Sequence, residues 1–258
     1  MIQPLPGAFL GAPIAHRALH DRLKGRPENS RAAIRAAVAA GYGIEIDLQV
    51  SADGQALVFH DADLTRLTGR CGPVRGLSAR QAGAVALLDG DGEGIPTLGE
   101  VLGIVAGRVA LLIEIKDQAR AGGPGIGPLE SAAARALDGY GGPVAVMSFN
   151  PDSVAEMARI APGTARGLVT GSWDDPEDRA GLEPATVARL RAIADFDRTG
   201  AGFISHEAAD LGRPRVGELR ARGVPVLCWT IRSPRQERAA RRHADNITFE
   251  NYLAALPA

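Results

Sequence analysis

The chain has 258 residues, of which 45% are apolar, so it can bury the core that a folded domain needs. This composition excludes a disordered, collagen-like or coiled-coil protein. Its 29 basic and 30 acidic residues leave a formal net charge of -1, which provides no general attraction for nucleic acid or an anionic membrane. An anionic ligand must therefore be bound by a local site.

The chain shows no targeting or membrane signal. Its apolar stretches are far shorter than the roughly 20 residues of a membrane-spanning helix, and its N-terminus lacks the basic start of a secretion signal. Cys71 and Cys228 have neither zinc-binding nor disulfide spacing. We therefore expect a soluble cytoplasmic protein without a nucleic-acid partner or a stable membrane association; its oligomeric state stays open.

Strand-like segments alternate with helix-like segments along the whole chain. The helix-like segments have recognisable starts, such as Asn29-Ser30 before a helix over Arg31–Ala40. Nine strands are predicted, over Ala8–His16, Gly43–Val50, Ala56–His60, Val109–Lys116, Val144–Phe149, Ala165–Thr170, Gly202–Ser205, Val224–Thr230 and Asn246–Phe249.

The second and third predicted strands form an antiparallel hairpin, because the link between them is short and contains Asp53-Gly54, a typical two-residue turn. Counting outward from that turn places Asp47 opposite His60. The eight remaining strands predict a closed parallel (β/α)8 TIM barrel, formed by a single domain over residues 1–258.

The open, doubly wound α/β sheet is the alternative fold. It would need a glycine-rich phosphate-binding loop after an early strand, and Gly41-Tyr42-Gly43 precedes a strand instead. The glycine-rich segment 61–96 contains no clear strand, and we interpret it as a small insertion at one rim of the barrel. A plain long connection would explain it equally simply.

Candidate catalytic residues begin on the second strand. Glu45 and Asp47 lie two residues apart, so they face the same side, and adjacent carboxylates repel each other unless a cation lies between them. A solvent-facing edge strand is the alternative explanation. His60, predicted opposite Asp47 and followed by Asp61, is a candidate for proton transfer.

Two further strands end in charged residues, where the active sites of such barrels lie. Glu114 and Lys116 share one face, and Lys116 is one of only two lysines in an arginine-rich chain. This rarity favours a specific role, such as contact with a phosphate oxygen, over a structural ion pair with Glu114. His16 and Arg17 end the first strand, where His16 could transfer a proton and Arg17 could bind an anion or a surface carboxylate.

The other candidates are weaker. Trp229, at the end of a late strand, is either a pocket wall or part of the core. His206 also follows a strand, whereas His20 and His243 are predicted to lie on the surface. The sequence motifs of serine hydrolases, P-loop NTPases and zinc proteases do not occur in this chain.

Many short segments of the chain occur in the order found in glycerophosphodiester phosphodiesterases. They are His16-Arg17, Pro27-Glu28-Asn29-Ser30, Glu45-Ile46-Asp47, Asp53-Gly54, Phe59-His60-Asp61, Ile95-Pro96-Thr97-Leu98, Glu114-Ile115-Lys116, Ser148-Phe149 and Trp229-Thr230. The sequence thus resembles bacterial, cytoplasmic members of this family from about residue 14 to residue 249.

The resemblance implies a (β/α)8 barrel with a small insertion after the His-Asp motif. It also implies hydrolysis of a glycerophosphodiester to glycerol 3-phosphate and an alcohol, with one divalent cation, Mg²⁺ or Ca²⁺. The implied roles are metal ligands for Glu45, Asp47 and Glu114, acid and base for His16 and His60, and phosphate contacts for Arg17 and Lys116. We expect Trp229 to contact the substrate.

The chain departs from the family pattern at a few positions. Ala18 replaces a glycine, Ser30 replaces a threonine and Arg232 replaces an asparagine, and these changes are expected to be peripheral to the chemistry. The final strand ends in Thr248-Phe249-Glu250 instead of Thr-Asp, which leaves the role of Glu250 open.

Two other functions are alternatives. A lysophospholipase D-like enzyme would need an open apolar rim, and the insertion contains no obvious apolar cluster. A noncatalytic phosphoester-binding barrel would lack a histidine or a metal ligand, and none is missing. The sequence therefore favours a small, water-soluble diester; it leaves open the headgroup, which histidine is the acid, and whether water or a substrate hydroxyl attacks.

Overall fold

A computed structural model describes residues 2–118 and 125–257. Its strands are β1 (Ile14–Ala15), β2 (Gly43–Val50), β3 (Ala56–Val58), β4 (Leu111–Ile115), β5 (Val144–Ser148), β6 (Ala165–Thr170), β7 (Phe203–Glu207), β8 (Val226–Ile231) and β9 (Asn246–Phe249). Its helices are α1 (Arg31–Ala40), α2 (Thr65–Thr68), α3 (Ala79–Gly83), α4 (Leu98–Val105), α5 (Pro128–Leu137), α6 (Pro151–Ile160), α7 (Pro176–Arg179), α8 (Pro184–Arg191), α9 (Pro214–Ala221) and α10 (Pro234–Ala240).

Eight parallel strands form a closed barrel in the order β1, β2, β4, β5, β6, β7, β8 and β9. The barrel is closed because β1 pairs with both β2 and β9, which excludes the open sheet. Strand β3 lies outside this ring and pairs antiparallel with β2. The predicted barrel and its additional hairpin strand are therefore confirmed. Among the described residues, none of the helices has the length and apolar character needed to cross a bilayer.

The first strand is much shorter than predicted. Residues Gly7–Leu10 form a 3₁₀ helix, and only Ile14 and Ala15 of the predicted Ala8–His16 segment form a strand. Phe9 of this helix is fully buried and packs with Ile14 and other residues of the barrel interior. Phe9 therefore fills the interior instead of extending the sheet.

The predicted register of the hairpin is wrong by one residue. Val50 pairs with Ala56, and Phe59 N donates a hydrogen bond to Asp47 O at 2.9 Å, so Phe59 and not His60 lies opposite Asp47. The loop has three residues, and its last, Gly54, has a φ of 71°, which is typical of three-residue hairpin loops.

The hydroxyl of Ser51 stabilises this longer loop. Its Oγ accepts a hydrogen bond from Gln55 N at 2.8 Å and donates one to Asp53 Oδ1 at 2.6 Å. A local side-chain contact of this kind competes with the tighter Asp-Gly turn, which explains why counting from the turn alone failed.

Alternate residues of each barrel strand face inward and outward. Ile44, Ile46 and Leu48 of β2 belong to the apolar layer between the barrel and its helices, so Glu45 and Asp47 face the interior. Elsewhere the interior holds apolar side chains such as Phe9, and Asp47 and Glu114 lie in register towards the carboxyl ends of β2 and β4.

Residues 61–96 contain α2, α3 and a 3₁₀ helix over Val74–Gly76. Leu64, Val74 and Leu87 of this segment pack with Leu57 and Phe59 of the hairpin in a small apolar cluster of their own. This cluster holds the segment against the hairpin, directly beside His60.

Replacement of Phe9 by alanine tests whether this residue fills the interior. A Phe→Ala change at a fully buried site costs about 3–5 kcal/mol of unfolding free energy, and we expect Phe9→Ala to fall in that range. Urea denaturation provides the measurement. Leu10→Ala is the matched control, since Leu10 is exposed, and equal losses in the two variants would contradict the packing of Phe9.

Candidate active site

Three buried carboxylates from β2 and β4 meet inside the barrel. Glu45 and Asp47 point inward from β2, and Asp47 is in register with Glu114 on the neighbouring strand. One oxygen atom from each carboxylate lies within 4.8 Å of the others. The adjacent parallel strands thus bring together the three residues that the resemblance implied as metal ligands.

The loop after β1 holds two of these carboxylates in place. Arg17 N donates a hydrogen bond to Glu45 Oε2 at 2.8 Å. Asn29 Nδ2 donates to Asp47 Oδ2 at 2.9 Å, and Asn29 Oδ1 accepts from Asp47 N at 3.3 Å. Arg17 and Asn29 both have positive φ values, of 52° and 59°, so the chain turns sharply at both donors.

Lys116 lies between two of the carboxylates. Its Nζ is 3.1 Å from Asp47 Oδ1 and 2.9 Å from Glu114 Oε1. Burial lowers the pKa of Lys116, but the negative charges of Asp47 and Glu114 outweigh that effect, so the amine stays protonated. Lys116 therefore makes the ion pair with Glu114 and also carries a positive charge into the centre of the site.

The third carboxylate is less well compensated. Burial and the charges of Asp47 and Glu114 raise the pKa of Glu45 well above its ordinary value. Asp47 has the opposite shift. Burial raises its pKa, but the charges of Lys116, His60 and Arg17 together lower it by a larger amount. An all-oxygen set of this charge fits a hard divalent cation, which would relieve the repulsion around Glu45.

His16 enters the site from the end of β1. Its Nδ1 is hydrogen-bonded to Glu250 Oε2 at 2.6 Å, and its Nε2 makes no hydrogen bond to a described residue. Burial lowers the pKa of His16, and the hydrogen bond to Glu250 opposes this effect.

His60 is held by a carboxylate in the same way. Its Nδ1 is 2.6 Å from Asp61 Oδ1, and the guanidinium of Arg66 in α2 donates two hydrogen bonds to Asp61, at 2.7 and 2.9 Å. Arg66 also donates two hydrogen bonds of 2.8 Å to Glu28, which accepts one of 2.8 Å from Arg17. A continuous chain of charged contacts therefore connects His60 with Arg17.

Aromatic side chains form the opposite side of the barrel mouth. Trp229 is half-buried, donates from Nε1 to Ser205 O at 3.1 Å and packs edge-to-face on Phe149, with 5.5 Å between ring centroids. Phe149 packs in the same manner on Trp173. Trp229 and Glu207 line a cavity of about 500 Å³, so Trp229 is part of a pocket wall as well as of the packed mouth.

The other histidines lie elsewhere. His206 faces outward, as Ile204 does, and its ring contacts Thr170 Oγ1 at 2.8 Å and Asp210 at 3.2 Å. Because His206 lies on the outward side of β7, it is separated from the site inside the barrel. His243 is exposed, as predicted. The prediction for His20 is wrong: its Nε2 is buried and lies 3.7 Å from Glu250 Oε2, because the loop after β1 folds back towards β9.

Residues 16–251 match the Glycerophosphoryl diester phosphodiesterase family. The chain belongs to this family. The family and the enzyme class implied by the sequence resemblance, glycerophosphodiester phosphodiesterase, are therefore confirmed.

Three similar proteins illustrate the relationship. YhdW of Bacillus subtilis (strain 168) is 27% identical over 242 residues, which are 91% of this chain and 90% of YhdW. The glycerophosphodiester phosphodiesterase of Caldanaerobacter subterraneus subsp. tengcongensis is 33% identical over 168 residues, 60% of this chain and 65% of that protein. An Oleispira antarctica phosphodiesterase, solved with the product sn-glycerol-3-phosphate, has a TM-score of 0.70 and 22% identity, covering 95% of this chain and 94% of that chain.

Several residues of this family member's site had no role assigned from the sequence. Glu28 and Asn29 belong to a segment that carried the resemblance, and that segment was the available signal for them. Arg66 and Glu207 had no comparable signal, because their importance comes from contacts between distant parts of the chain. Arg232 was expected to be peripheral, yet its Nε donates to Glu250 Oε1 at 2.7 Å.

Removal of Arg66 tests the charged network. Burial raises the pKa values of Asp61 and Glu28, but hydrogen bonds lower both values by a larger amount. Asp61 is hydrogen-bonded to His60 and Arg66, and Glu28 is hydrogen-bonded to Arg66 and Arg17. Carboxyls with lowered pKa values stabilise the fold above their unfolded pKa values, about 4, and lose that contribution as the pH falls. Because Arg66 is half exposed, we expect Arg66→Ala to lower the unfolding free energy at pH 7 by only about 1 kcal/mol.

This deficit should begin to shrink below about pH 4 and disappear as the pH falls through the lowered pKa values of the two carboxyls in the folded protein. Urea denaturation at a series of pH values measures it. Arg70→Ala, an exposed arginine of the same segment, serves as the control. A deficit that is independent of pH would show that Arg66 does not act through these carboxyls.

Proposed function

We propose that this enzyme hydrolyses a small, water-soluble glycerophosphodiester in a metal-dependent reaction that releases glycerol 3-phosphate and an alcohol. The observation that carries the proposal is the set of three buried carboxylates with Lys116 and Arg17 beside them. A carboxylate-held histidine follows two of the three strands that pair with β2: His16 after β1 and His60 after β3. The product complex of the Oleispira antarctica phosphodiesterase supports the same substrate class.

Glu45, Asp47 and Glu114 would hold the cation. Three carboxylate ligands fit Mg²⁺ or Ca²⁺ better than a metal that prefers nitrogen or sulfur. When bound, such a cation polarises a phosphate oxygen and offsets the negative charge that develops there.

Lys116 and Arg17 are suited to hold the phosphate. The ammonium of Lys116 has three protons, and its two carboxylate contacts leave one of them for a phosphate oxygen. Arg17 Nε is buried without a hydrogen-bond partner among the described residues and lies 3.7 Å from Asp47 Oδ2. A phosphate oxygen would satisfy this buried donor.

His16 and His60 would move the two protons of the reaction. One removes the proton from the attacking oxygen as the new P–O bond forms, and the other protonates the departing alkoxide as the old bond breaks. Both histidines bind a carboxylate through Nδ1, which leaves Nε2 for the substrate. Attack by water gives glycerol 3-phosphate directly, whereas attack by the glycerol hydroxyl gives a cyclic phosphate that water then opens.

The pocket wall beside Trp229 is suited to contact the organic part of the substrate. Consistent with the sequence expectations, we propose that the enzyme acts in the cytoplasm on a free small molecule, without nucleic acid or stable membrane association. The oligomeric state is not part of this proposal.

A lysophospholipase D-like activity is the second candidate. One observation favours it: Leu23 and Leu253, which are 99% and 73% exposed, line a cavity of about 460 Å³ that also includes Glu250. An acyl chain on these leucines would lie near His16. The apolar residues of the insertion, in contrast, are buried in their own cluster, which is why the water-soluble diester is preferred.

An assay of product release distinguishes the two candidates. Glycerophosphocholine, glycerophosphoethanolamine and lysophosphatidylcholine are each supplied with Mg²⁺, Ca²⁺ or EDTA. We expect glycerol 3-phosphate from the first two substrates and none in EDTA. Choline released from the lysolipid alone would replace the main proposal with the second candidate.

Variants test the individual roles in the same assay. His60→Ala should lower kcat/KM by about 10²–10⁴-fold, because a proton-transferring group contributes that much. Arg70→Ala, which changes an exposed residue away from the site, should keep the wild-type rate. Wild-type turnover by His60→Ala would remove His60 from the mechanism.

Metal binding is tested without turnover. We expect Mg²⁺ or Ca²⁺ to raise the melting temperature relative to EDTA, because the cation binds only the folded site. Glu45→Gln should abolish this increase, whereas Glu218→Gln, on the exposed surface of α9, should retain it. An equal increase in both variants would place the cation elsewhere.

A further inference from the structure

Glu250 lies inside the mouth of the barrel because of the alternation of β9. Phe249 faces outward, where it packs edge-to-face on Tyr42 with 4.8 Å between ring centroids. The residues on either side of Phe249, Thr248 and Glu250, therefore face the interior. Glu250 thus reaches the site, whereas Phe249, directly after Thr248, points away from it.

The neighbouring strands contact different oxygens of Glu250. Strand β9 pairs with β1 on one side and β8 on the other. Oε2 of Glu250 bonds His16 Nδ1 at 2.6 Å, directly after β1, and Oε1 accepts from Arg232 Nε at 2.7 Å, directly after β8. The carboxylate is thereby held between the two residues from both sides.

Other groups near Glu250 are farther away. His20 Nε2 lies 3.7 Å from Oε2, and Asn251 Nδ2 lies 3.5 Å from Oε1. Burial raises the pKa of Glu250, but the hydrogen bond to His16, the nearby His20 and the charge of Arg232 together lower it by more, so the group is an ionised acceptor at neutral pH. The contact with His16 is the shortest of the four.

We propose that Glu250, held by Arg232, is the positioning residue of His16. This inference rests on the function proposed above. Glu250 keeps the proton of neutral His16 on Nδ1 and fixes the plane of the ring, so that Nε2 faces the substrate. The acid after β9 and the arginine after β8 thus form one unit.

The tautomer of His16 provides a test that does not require activity. Long-range ¹H–¹⁵N spectra of protein labelled with ¹⁵N-histidine show which ring nitrogen carries the proton, and His16→Ala identifies the His16 signals. We expect an Nδ1–H tautomer in the wild type and a shift towards Nε2–H in Glu250→Ala and Glu250→Gln. An unchanged tautomer in both variants would overturn the proposal.

Kinetics with glycerophosphocholine test the consequence for catalysis. We expect Glu250→Ala to lower kcat by about 10²–10³-fold, on the scale of other residues that orient a catalytic histidine, with KM changed less than about threefold. Adding Glu250→Ala to His16→Ala should cause no further loss, because residues that act as a unit are not additive.

Arg232 provides an independent variant, since it is half exposed and its replacement leaves the core intact. Arg232→Gln should lower kcat about 3–10-fold, as expected for loss of one charge-assisted hydrogen bond that acts through Glu250. In the Glu250→Ala background it should have no effect. Arg215→Gln with Glu218→Gln, which removes a comparable ion pair from α9, should retain the wild-type kcat and tautomer.

The outcomes separate the two proposals. An active wild type whose kcat and His16 tautomer survive both Glu250 variants overturns the positioning role and leaves the proposed function intact. A wild type that is inactive on every diester overturns the proposed function, and the tautomer then decides by itself whether Glu250 positions His16. Additive losses for Glu250→Ala and Arg232→Gln would show that the two residues do not form one unit.

Discussion

The closed barrel limits where charge can be placed in this protein. Eight parallel strands enclose an interior in which every second side chain of a strand is removed from water. Phe9 lies in the apolar part of that interior, whereas Asp47 and Glu114 lie in register towards the carboxyl ends of β2 and β4, with Glu45 beside them. Only at this end can buried carboxylates obtain partners from the loops and remain accessible to a ligand, which explains why the chemistry is concentrated there.

The loops compensate the buried charge with donors from distant parts of the chain. Asn29 and the backbone of Arg17 bind two of the carboxylates, and Lys116 lies between Asp47 and Glu114. The compensation is incomplete at Glu45, whose raised pKa reflects burial and the negative charges around it. This residual repulsion is the physical reason for expecting a cation between the three carboxylates.

The two histidines have the same type of support from unrelated elements. Asp61 and Arg66 of the insertion hold His60, and Glu250 and Arg232 at the ends of the last two barrel strands hold His16. In both cases an arginine holds the carboxylate and the carboxylate holds Nδ1 of the ring. The small apolar cluster of residues 61–96 therefore has a function beyond its own stability, because it fixes the position of Arg66.

The sequence alone determined the barrel, the inward-facing carboxylates and the candidate charged residues at the strand ends. These features depend on the local period of the strands and on residue type, both of which can be read along the chain. The tertiary structure decided the hairpin register, the packing of Phe9, the outward position of His206 and the partners of His16, His20 and His60. Those features depend on contacts between residues up to 234 positions apart, and no local pattern records which of several possible partners a side chain meets once the barrel is closed.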